Sequence, residues 1–143
     1  SEMCIRDSLL HILTVENWGL GKLATKMRAE MLEELGHAEE YARRMVFLGG
    51  HPEMKAAKVP SAAQALQGMF EIDLADEKDA IKFYSMAAHG ADEAHDIGTR
   101  DLFERTALDE EGHMSWLELQ LSLLQRMGEP AFIAMHVSQS NTS

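Results

Sequence analysis

The sequence predicts an all-α protein, a four-helix bundle with one long crossover, a short fifth C-terminal helix and a truncated first helix. Its 143 residues suffice for one hydrophobic core, so residues 1–143 are expected to form a single domain. Only three prolines and ten glycines interrupt a chain rich in helix formers. Apolar residues recur at intervals of three and four, which is the helical period.

The first two helices are predicted on either side of a glycine turn. Residues 9–17 have the character of a helix end, and residues 18–21 contain two glycines typical of a tight turn. The second helix is expected over residues 20–48, and residues 49–50 should end it in a left-handed cap. Its apolar stripe is Leu23, Met27, Met31, Leu35, Ala38, Ala42, Met45 and Val46.

A segment without periodicity separates these helices from the next two. About seventeen residues from residue 49 to residue 66 can span roughly 50–60 Å, so they permit a crossover along the bundle. Ser61 is the expected N-cap of the third helix, which should end between residues 89 and 95. Its apolar positions are Ala65, Leu66, Met69, Ile72, Leu74, Ala75, Ile81, Phe83 and Tyr84.

The last part of the chain predicts a fourth long helix and a short fifth one. The fourth helix is expected from about Asp96 to Met127, with Gly128 and Pro130 as its stop. Residues 131–137 should form one or two further turns, and residues 138–143 should be disordered. The apolar positions of the fourth helix are Leu102, Phe103, Leu108, Trp116, Leu119 and Leu123.

Composition excludes two classes of partner. A net charge of −11 leaves no basic surface for nucleic acid, because binding phosphates needs clustered lysine and arginine. No apolar run approaches the roughly 20 residues that span a bilayer, and no signal peptide is present, so a cytoplasmic protein without membrane contact is expected. The acidic balance suits cation binding, although such a balance more often only keeps a protein in solution.

Two copies of one motif, Glu-x-x-His, carry the chemistry. Glu34 and His37 form the first copy, and Glu110 and His113 form the second. Residues three apart share one face of a helix, with Cβ atoms about 5–6 Å apart, so each pair can hold a metal ion. A single such pair is usually just an exposed pair. Two of them, with a lone glutamate on each of two further helices, form the ligand set of di-iron helical bundles.

Helix geometry locates the two lone glutamates. Each residue advances about 1.5 Å along a helix, so residues equally far from an antiparallel turn lie at the same level. Glu77 is level with the second motif if the turn falls near residues 94–95. The same argument from the turn at residues 18–19 places the fourth glutamate at Ser1 or Glu2, and Glu2 would then complete the site.

We therefore expect a pair of irons at this level of the bundle. Glu34 and Glu110 should bridge the pair, because bridging carboxylates supply negative charge that stabilises the oxidised metals. His37 should bind one iron, and Glu77 with His113 the other. The predicted metal-binding and catalytic residues are the same: Glu34, His37, Glu77, Glu110 and His113.

Neighbouring side chains are expected to play smaller parts. Asp73 and Asp109 are candidates to hold the second ring nitrogen of the ligating histidines. Tyr41 and Trp116, one turn beyond each motif, are either electron donors or core aromatics, and core packing is the commoner role. Surface, turn or core-capping positions are expected for Glu33, Glu39, Glu40, Glu111, Asp92, His95, His11, His51, His89 and His136.

These motifs resemble bacterioferritin over residues 9–137. The resemblance rests on Asn-Trp-Gly-Leu at 17–20, Glu-Leu-Gly-His-Ala-Glu-Glu-Tyr at 34–41, Asp-Leu-Ala-Asp-Glu at 73–77 and Asp-Glu-Glu-Gly-His-Met-Ser-Trp at 109–116. It implies a ferritin-like bundle in a 24-subunit shell of this chain alone or with a haem-type bacterioferritin subunit. Such a shell oxidises Fe(II) with O2 or H2O2 at an intrasubunit di-iron site and stores ferric mineral. The five predicted ligands fall on the family's ferroxidase positions.

Two departures from the family pattern stand out. The family's haem-ligating methionine follows the first-motif glutamate, but Leu35 stands there without a donor atom and Met31 is a turn away. Haem b at a subunit interface is therefore not expected. Residues 1–8 match none of the family's first helix, which has a glutamate at the position of Ser1 and a tyrosine at Ser8. We expect a truncated start, with residues 4–8 foreign to the helix.

Two alternatives to a ferroxidase remain open. If the first-helix carboxylate is missing, the chain is a structural shell subunit with an incomplete, inactive site. The second alternative is another di-iron carboxylate protein, such as a rubrerythrin-like peroxidase. The sequence has no Cys-x-x-Cys pair for a rubredoxin-type iron, which argues against the usual two-domain form of that protein.

Overall fold

Five helices make up the structure, a computed structural model that describes residues 2–51 and 65–137, with side chains from Ser8 onwards. They are α1 (Glu2–Asn17), α2 (Gly21–Phe47), α3 (Leu66–Glu93), α4 (Ile97–Met127) and α5 (Glu129–His136). The described residues contain no strand, which confirms the all-α prediction. The expected Ser61 cap, most of the crossover and the C-terminal tail lie outside the described residues. No helix in the described ranges is long and apolar enough to cross a membrane.

The turns between helices lie where the sequence predicts them. Gly19 and Gly49 have φ angles of 81° and 80°, a left-handed conformation that glycine adopts without steric cost. His95, with φ 58°, makes the turn from α3 to α4. The carboxylate of Asp96 then caps α4 by accepting the Thr99 backbone N–H at 3.2 Å. The turn therefore falls at the level that the position of Glu77 requires.

The C-terminal helix begins two residues earlier than predicted. Gly128, with φ 81°, breaks α4, and α5 starts at Glu129. Pro130 lies in the first turn of α5, where a missing backbone N–H has no intrahelical partner to lose. Gly128 therefore ends one helix, and Pro130 lies in the first turn of the next.

Residues 4–8, expected to be foreign to the family's first helix, are nevertheless part of a helix. α1 runs without a break from Glu2 to Asn17. Residues 4–8 include neither proline nor glycine, so nothing in the local sequence interrupts the backbone hydrogen bonds. With 16 residues, α1 is still the shortest of the four long helices, which otherwise have 27, 28 and 31 residues.

Two apolar clusters pack at different heights of the bundle. The main core joins all five helices and the turn after α1 through Ile12, Val15, Leu20, Leu23, Ala24, Met27, Met31, Leu66, Met69, Phe70, Leu117 and Phe132. A smaller cluster joins α3 and α4 through Tyr84, Ala88, Phe103 and Ala107. Along α2, α3 and α4, the predicted ligand residues fall between these two clusters.

Several positions of the predicted apolar stripes face solvent. Leu35 is 43% exposed, and Phe83, Leu108 and Leu119 are more exposed still. Each has a sequence neighbour that is buried instead, Glu34 in the case of Leu35. Adjacent residues lie about 100° apart around a helix, and at these four positions it is the neighbour that points inward.

Candidate metal centre

The two Glu-x-x-His motifs face each other across α2 and α4. Glu34, His37, Glu110 and His113 are all buried, and Glu110 is completely so. His37 Nδ1 lies 3.2 Å from Glu110 Oε1, and His113 Nδ1 lies 3.1 Å from Glu34 Oε1. Each imidazole thus meets the carboxylate of the opposite motif. His113 Nδ1 also lies 3.6 Å from Glu110 Oε2, so both histidines converge on one glutamate.

The third helix adds Glu77 to this group. Its Oε1 lies 3.9 Å from His113 Nδ1. Glu34, Glu77, Glu110 and His113 each offer one ligand atom within 4.8 Å of the others. His37 Nδ1 lies on the other side, 3.9 Å from Glu34 Oε1. The structure therefore brings all five predicted residues together in what we call the carboxylate–imidazole layer: Glu34, His37, Glu77, Glu110 and His113.

Two further carboxylates hold the outer nitrogens of the histidines. His37 Nε2 lies 2.9 Å from Asp109 Oδ2, so the predicted contact of Asp109 with this histidine is confirmed. His113 Nε2 lies 2.9 Å from Glu33 Oε2. Glu33 was expected only to face solvent, so this contact was not predicted. An acidic residue directly precedes the glutamate of each motif, and this shared feature of the sequence could have indicated that Glu33 and Asp109 play the same part.

The expectation for Asp73 is wrong. Asp73 was expected to hold a ligating histidine, whereas His11 was expected at a surface, turn or core-capping position. Instead, Asp73 Oδ1 lies 2.9 Å from Nδ1 of the buried His11. The sequence shows that Asp73 precedes Glu77 by one turn, but not that this turn of α3 faces α1.

The other polar residues near the motifs lie at the surface or the turn. Asp92, exposed at the α3–α4 turn, accepts a hydrogen bond from Arg100 at 2.8 Å, and His95 is exposed beside it. His136 Nδ1 lies 2.8 Å from the Phe132 carbonyl oxygen, to which it donates. Exposed positions are also found for Glu39, Glu40, Glu111, His51 and His89. The side chain of Glu2, the proposed sixth ligand, lies outside the described residues.

Tyr41 and Trp116 pack as core aromatics do. Tyr41 contacts Phe103 with ring centroids 5.7 Å apart, and Trp116 meets Phe70 edge-on at 6.2 Å. The ammonium of Lys26 lies 5.8 Å from the Trp116 ring centroid. Electron donation by either aromatic stays a prediction.

Burial and mutual hydrogen bonding set the charges of the layer. Burial raises the pKa of Glu77 to about 10 and that of Glu34 to about 7, and the nearby Glu110 adds to both shifts. Burial also acts to raise the pKa of Glu110, but the nearby imidazoles of His113 and His37 outweigh it and hold that pKa well below its usual range. The hydrogen bond to Glu110 raises the pKa of His37 to about 9. Burial lowers the pKa of His113, yet the nearby carboxylates of Glu110 and Glu34 raise it to about 12.

The layer has the donor chemistry of a site for two divalent cations. Carboxylate oxygens and imidazole nitrogens together suit iron. Oε2 of Glu77 and Oε2 of Glu110 are buried without a hydrogen-bond partner among the described residues, which is costly unless a cation meets them. A small cavity adjoins Glu34 and Glu77. It is lined by Ser8, Met27, Glu30, Met31, Asp73, Asp76, Trp116 and Leu117.

Comparisons with known proteins agree with this geometry over most of the chain. The ferritin-like domain family matches residues 8–127. Bacterioferritin of Rhodobacter capsulatus is 38% identical over 129 residues, which cover 90% of this chain and 80% of that protein. Bacterioferritin BfrA of Mycobacterium tuberculosis is 35% identical over 138 residues, which cover 96% and 87%. The chain belongs to the bacterioferritin family.

Solved bacterioferritin structures share the whole described fold. The Rhodobacter capsulatus structure, which has a metal-free dinuclear site and a haem iron, matches with a TM-score of 0.93 at 35% identity. That match covers 99% of this chain and 88% of the other. Mycobacterium tuberculosis BfrA matches with a TM-score of 0.91 at 34% identity, covering 95% and 86%. The ferritin-like bundle and the resemblance drawn from the motifs are both confirmed.

Proposed function

We propose that this bacterioferritin chain is an iron-storage subunit with ferroxidase activity, which oxidises Fe(II) to Fe(III) for storage as mineral inside a protein shell. The proposal rests chiefly on one observation, the buried group of Glu34, Glu77, Glu110 and His113 with ligand atoms within 4.8 Å of one another. His37 meets the same group from the other side of Glu110. Iron is the substrate and the cargo of this reaction.

The geometry suggests a part for each residue. Glu110 would be the central bridge, because its two oxygens lie 3.2 Å from His37 Nδ1 and 3.6 Å from His113 Nδ1. Glu34 Oε1, at 3.1 Å from His113 Nδ1 and 3.9 Å from His37 Nδ1, would be the second bridge. His37 would then hold one Fe(II), and Glu77 with His113 would hold the other.

The layer favours oxidation through its charge. Two Fe(II) ions displace the protons that hold the layer together, and the three carboxylates then face the metals as anions. Anionic ligands stabilise Fe(III) over Fe(II), so they lower the cost of losing an electron. Two irons together give the two electrons that reduce O2, with two protons, to H2O2, or H2O2 to two waters.

The cavity beside Glu34 and Glu77 is the proposed approach for the cation. Its lining includes Glu30, Asp73 and Asp76, and the acidic lining attracts a divalent cation into a space that already touches two ligands. Burial raises the pKa of Glu30, which lies in this lining.

Stopped-flow oxidation of Fe(II) tests the proposal. With two Fe(II) per subunit and O2 or H2O2, the purified protein should oxidise iron well above the rate in buffer alone. An oxidation rate equal to that in buffer alone would favour the alternative, a structural shell subunit with an inactive site. Size-exclusion chromatography with light scattering should show a particle of about 24 subunits, whereas a small oligomer would favour another type of di-iron protein.

We further propose that this subunit does not itself ligate haem. Leu35 lies on the exposed face of α2 and has no donor atom. Haem should enter the shell only through a haem-type partner subunit. When haem b is added to the purified chain and the excess is removed, the visible absorption spectrum should show no stoichiometric band of haem ligated by two methionines.

A further inference from the structure

Both imidazoles of the layer are held at both ring nitrogens. The inner nitrogen, Nδ1, faces Glu110 in the case of His37 and Glu34 in the case of His113. The outer nitrogen, Nε2, lies 2.9 Å from Asp109 for His37 and 2.9 Å from Glu33 for His113. Inner and outer contacts follow the same pattern for the two histidines.

The outer contacts cross between two helices. Asp109 on α4 holds the histidine of α2, and Glu33 on α2 holds the histidine of α4. Neither contact is made within one motif, so each helix orients the ligand of the other.

The outer carboxylates differ from the inner ones in their exposure. The side chains of Glu33 and Asp109 are 47% and 50% exposed, whereas the three inner glutamates are buried or nearly so. A half-hydrated carboxylate accepts an N–H without losing most of its hydration, so the contact costs little. When Nε2 keeps its proton in this way, Nδ1 is the nitrogen whose lone pair is free for a metal.

We propose that Glu33 and Asp109 are positioning residues that accept the Nε2–H of His113 and His37 and thereby present both Nδ1 atoms to the metal pair. This inference rests on the proposed function, because it assigns a part within the same site. Glu33 and Asp109 thereby join the five residues of the layer as part of the site, and they determine which nitrogen of each histidine binds metal.

One competing arrangement uses the same atoms differently. Glu33, His37 and Asp109 each offer one ligand atom within 4.8 Å of the others, so they could hold a third cation. Such a cation would need the lone pair of His37 Nε2 and would therefore break the hydrogen bond to Asp109. The number of metals bound separates the two arrangements.

Titration with Co(II), followed by calorimetry and visible absorption, tests the proposal without turnover. The wild type should bind two Co(II) per subunit. Glu33→Ala and Asp109→Ala should still bind two, but with one site about 10–100-fold weaker and with a changed d–d band. Glu33→Gln and Asp109→Asn keep an acceptor oxygen and should recover much of that affinity. Glu111→Ala, which removes an exposed carboxylate of α4, is the matched control and should behave as the wild type.

The possible outcomes are distinct. Wild-type affinity and spectrum in both alanine variants overturn the positioning role, and the proposed function stands. A third Co(II) in the wild type that disappears in Glu33→Ala also overturns it, since the outer carboxylates would then be ligands. Failure of the wild type to bind two Co(II) overturns the proposed function and this inference together. Thermal unfolding of each apo variant confirms that lost affinity does not come from lost folding.

Discussion

The main core and the carboxylate–imidazole layer occupy neighbouring heights of the same helices and are buried to the same degree. Phe132 and Glu110 both have no exposed surface. Burying the apolar ring stabilises the fold by about 25 cal/mol per Å² removed from water. Burying a carboxylate costs free energy unless charged or hydrogen-bonding partners replace the lost water. The stability gained in the core therefore supports a layer whose buried carboxylates need protons or cations as partners.

The largest effect should come from the centre of the layer. Glu110→Ala removes the carboxylate that both histidines contact, so the two metals lose their bridge. Fe(II) oxidation should fall to the rate in buffer, and Co(II) binding should fall from two ions to at most one per subunit. Stopped-flow absorbance and calorimetry measure these changes, with Glu111→Ala as the control. If Glu110→Ala keeps both metals and the wild-type rate, the layer is not the site.

A substitution in the main core should have the opposite profile. Phe132 joins α5 to the bundle through an edge-on contact with Phe70 at 5.9 Å. Phe132→Ala should lower the free energy of unfolding by about 3–5 kcal/mol, as expected for a buried aromatic, and should leave two Co(II) sites in the folded protein. Chemical denaturation and Co(II) titration test this. Met135→Ala, at a partly exposed position of α5, should cost far less.

The apo protein should become less stable as the pH rises. The pKa of Glu34 is raised from 4.5 in the unfolded chain to about 7 in the folded protein, and that of His37 from 6.5 to about 9. Between these values the native state binds more protons than the unfolded state, so the free energy of unfolding falls from about pH 4.5 to about pH 9. The raised pKa values of Glu77 and His113 continue the fall above about pH 9. Glu110, with its lowered pKa, opposes this trend only below about pH 4.5, where acid removes its contribution.

Thermal unfolding across that pH range measures the trend. The midpoint of the metal-free protein should decline toward alkaline pH. Bound Co(II) should abolish or reverse the decline, because the cation takes the place of the protons. A midpoint of the apo protein that is constant or rises with pH would contradict the charges assigned to the layer.

The smallest effect should be a release of protons when metal binds. At neutral pH the carboxyl group of Glu77 is protonated, and the rings of His37 and His113 are protonated at both nitrogens. Their pKa values are about 10, 9 and 12. Metal binding at the carboxylate oxygen and the two Nδ1 atoms must displace these protons. Calorimetry in two buffers of different ionisation enthalpy counts them. Zero release at neutral pH would mean that the apo layer is not protonated.

Local sequence predicted the helices and the height of the site well. The turn at residues 94–96 follows from the capping residue Asp96, and it places Glu77 beside the second motif. The five predicted ligands come together because their spacing along the chain converts directly into height. The exposed side of Leu35 was missed, because the buried Glu34 and His37 occupy the inward face that an apolar stripe would normally take.

Contacts between helices were harder to predict. Glu33 was expected to face only solvent, but it lies against His113 because α2 and α4 are adjacent and turned toward each other. Asp73 was expected at a ligating histidine, but it meets His11 because that part of α3 faces α1. Neither pairing is encoded in a spacing along the chain.

The sequence by itself determined where each helix begins and ends and at which height its ligands lie, because both depend on local hydrogen bonding and a constant rise per residue. Only the tertiary structure decided which helices are neighbours and how each is rotated about its axis. Packing of the apolar clusters above and below the layer sets that rotation. It therefore determines which carboxylate meets which imidazole nitrogen.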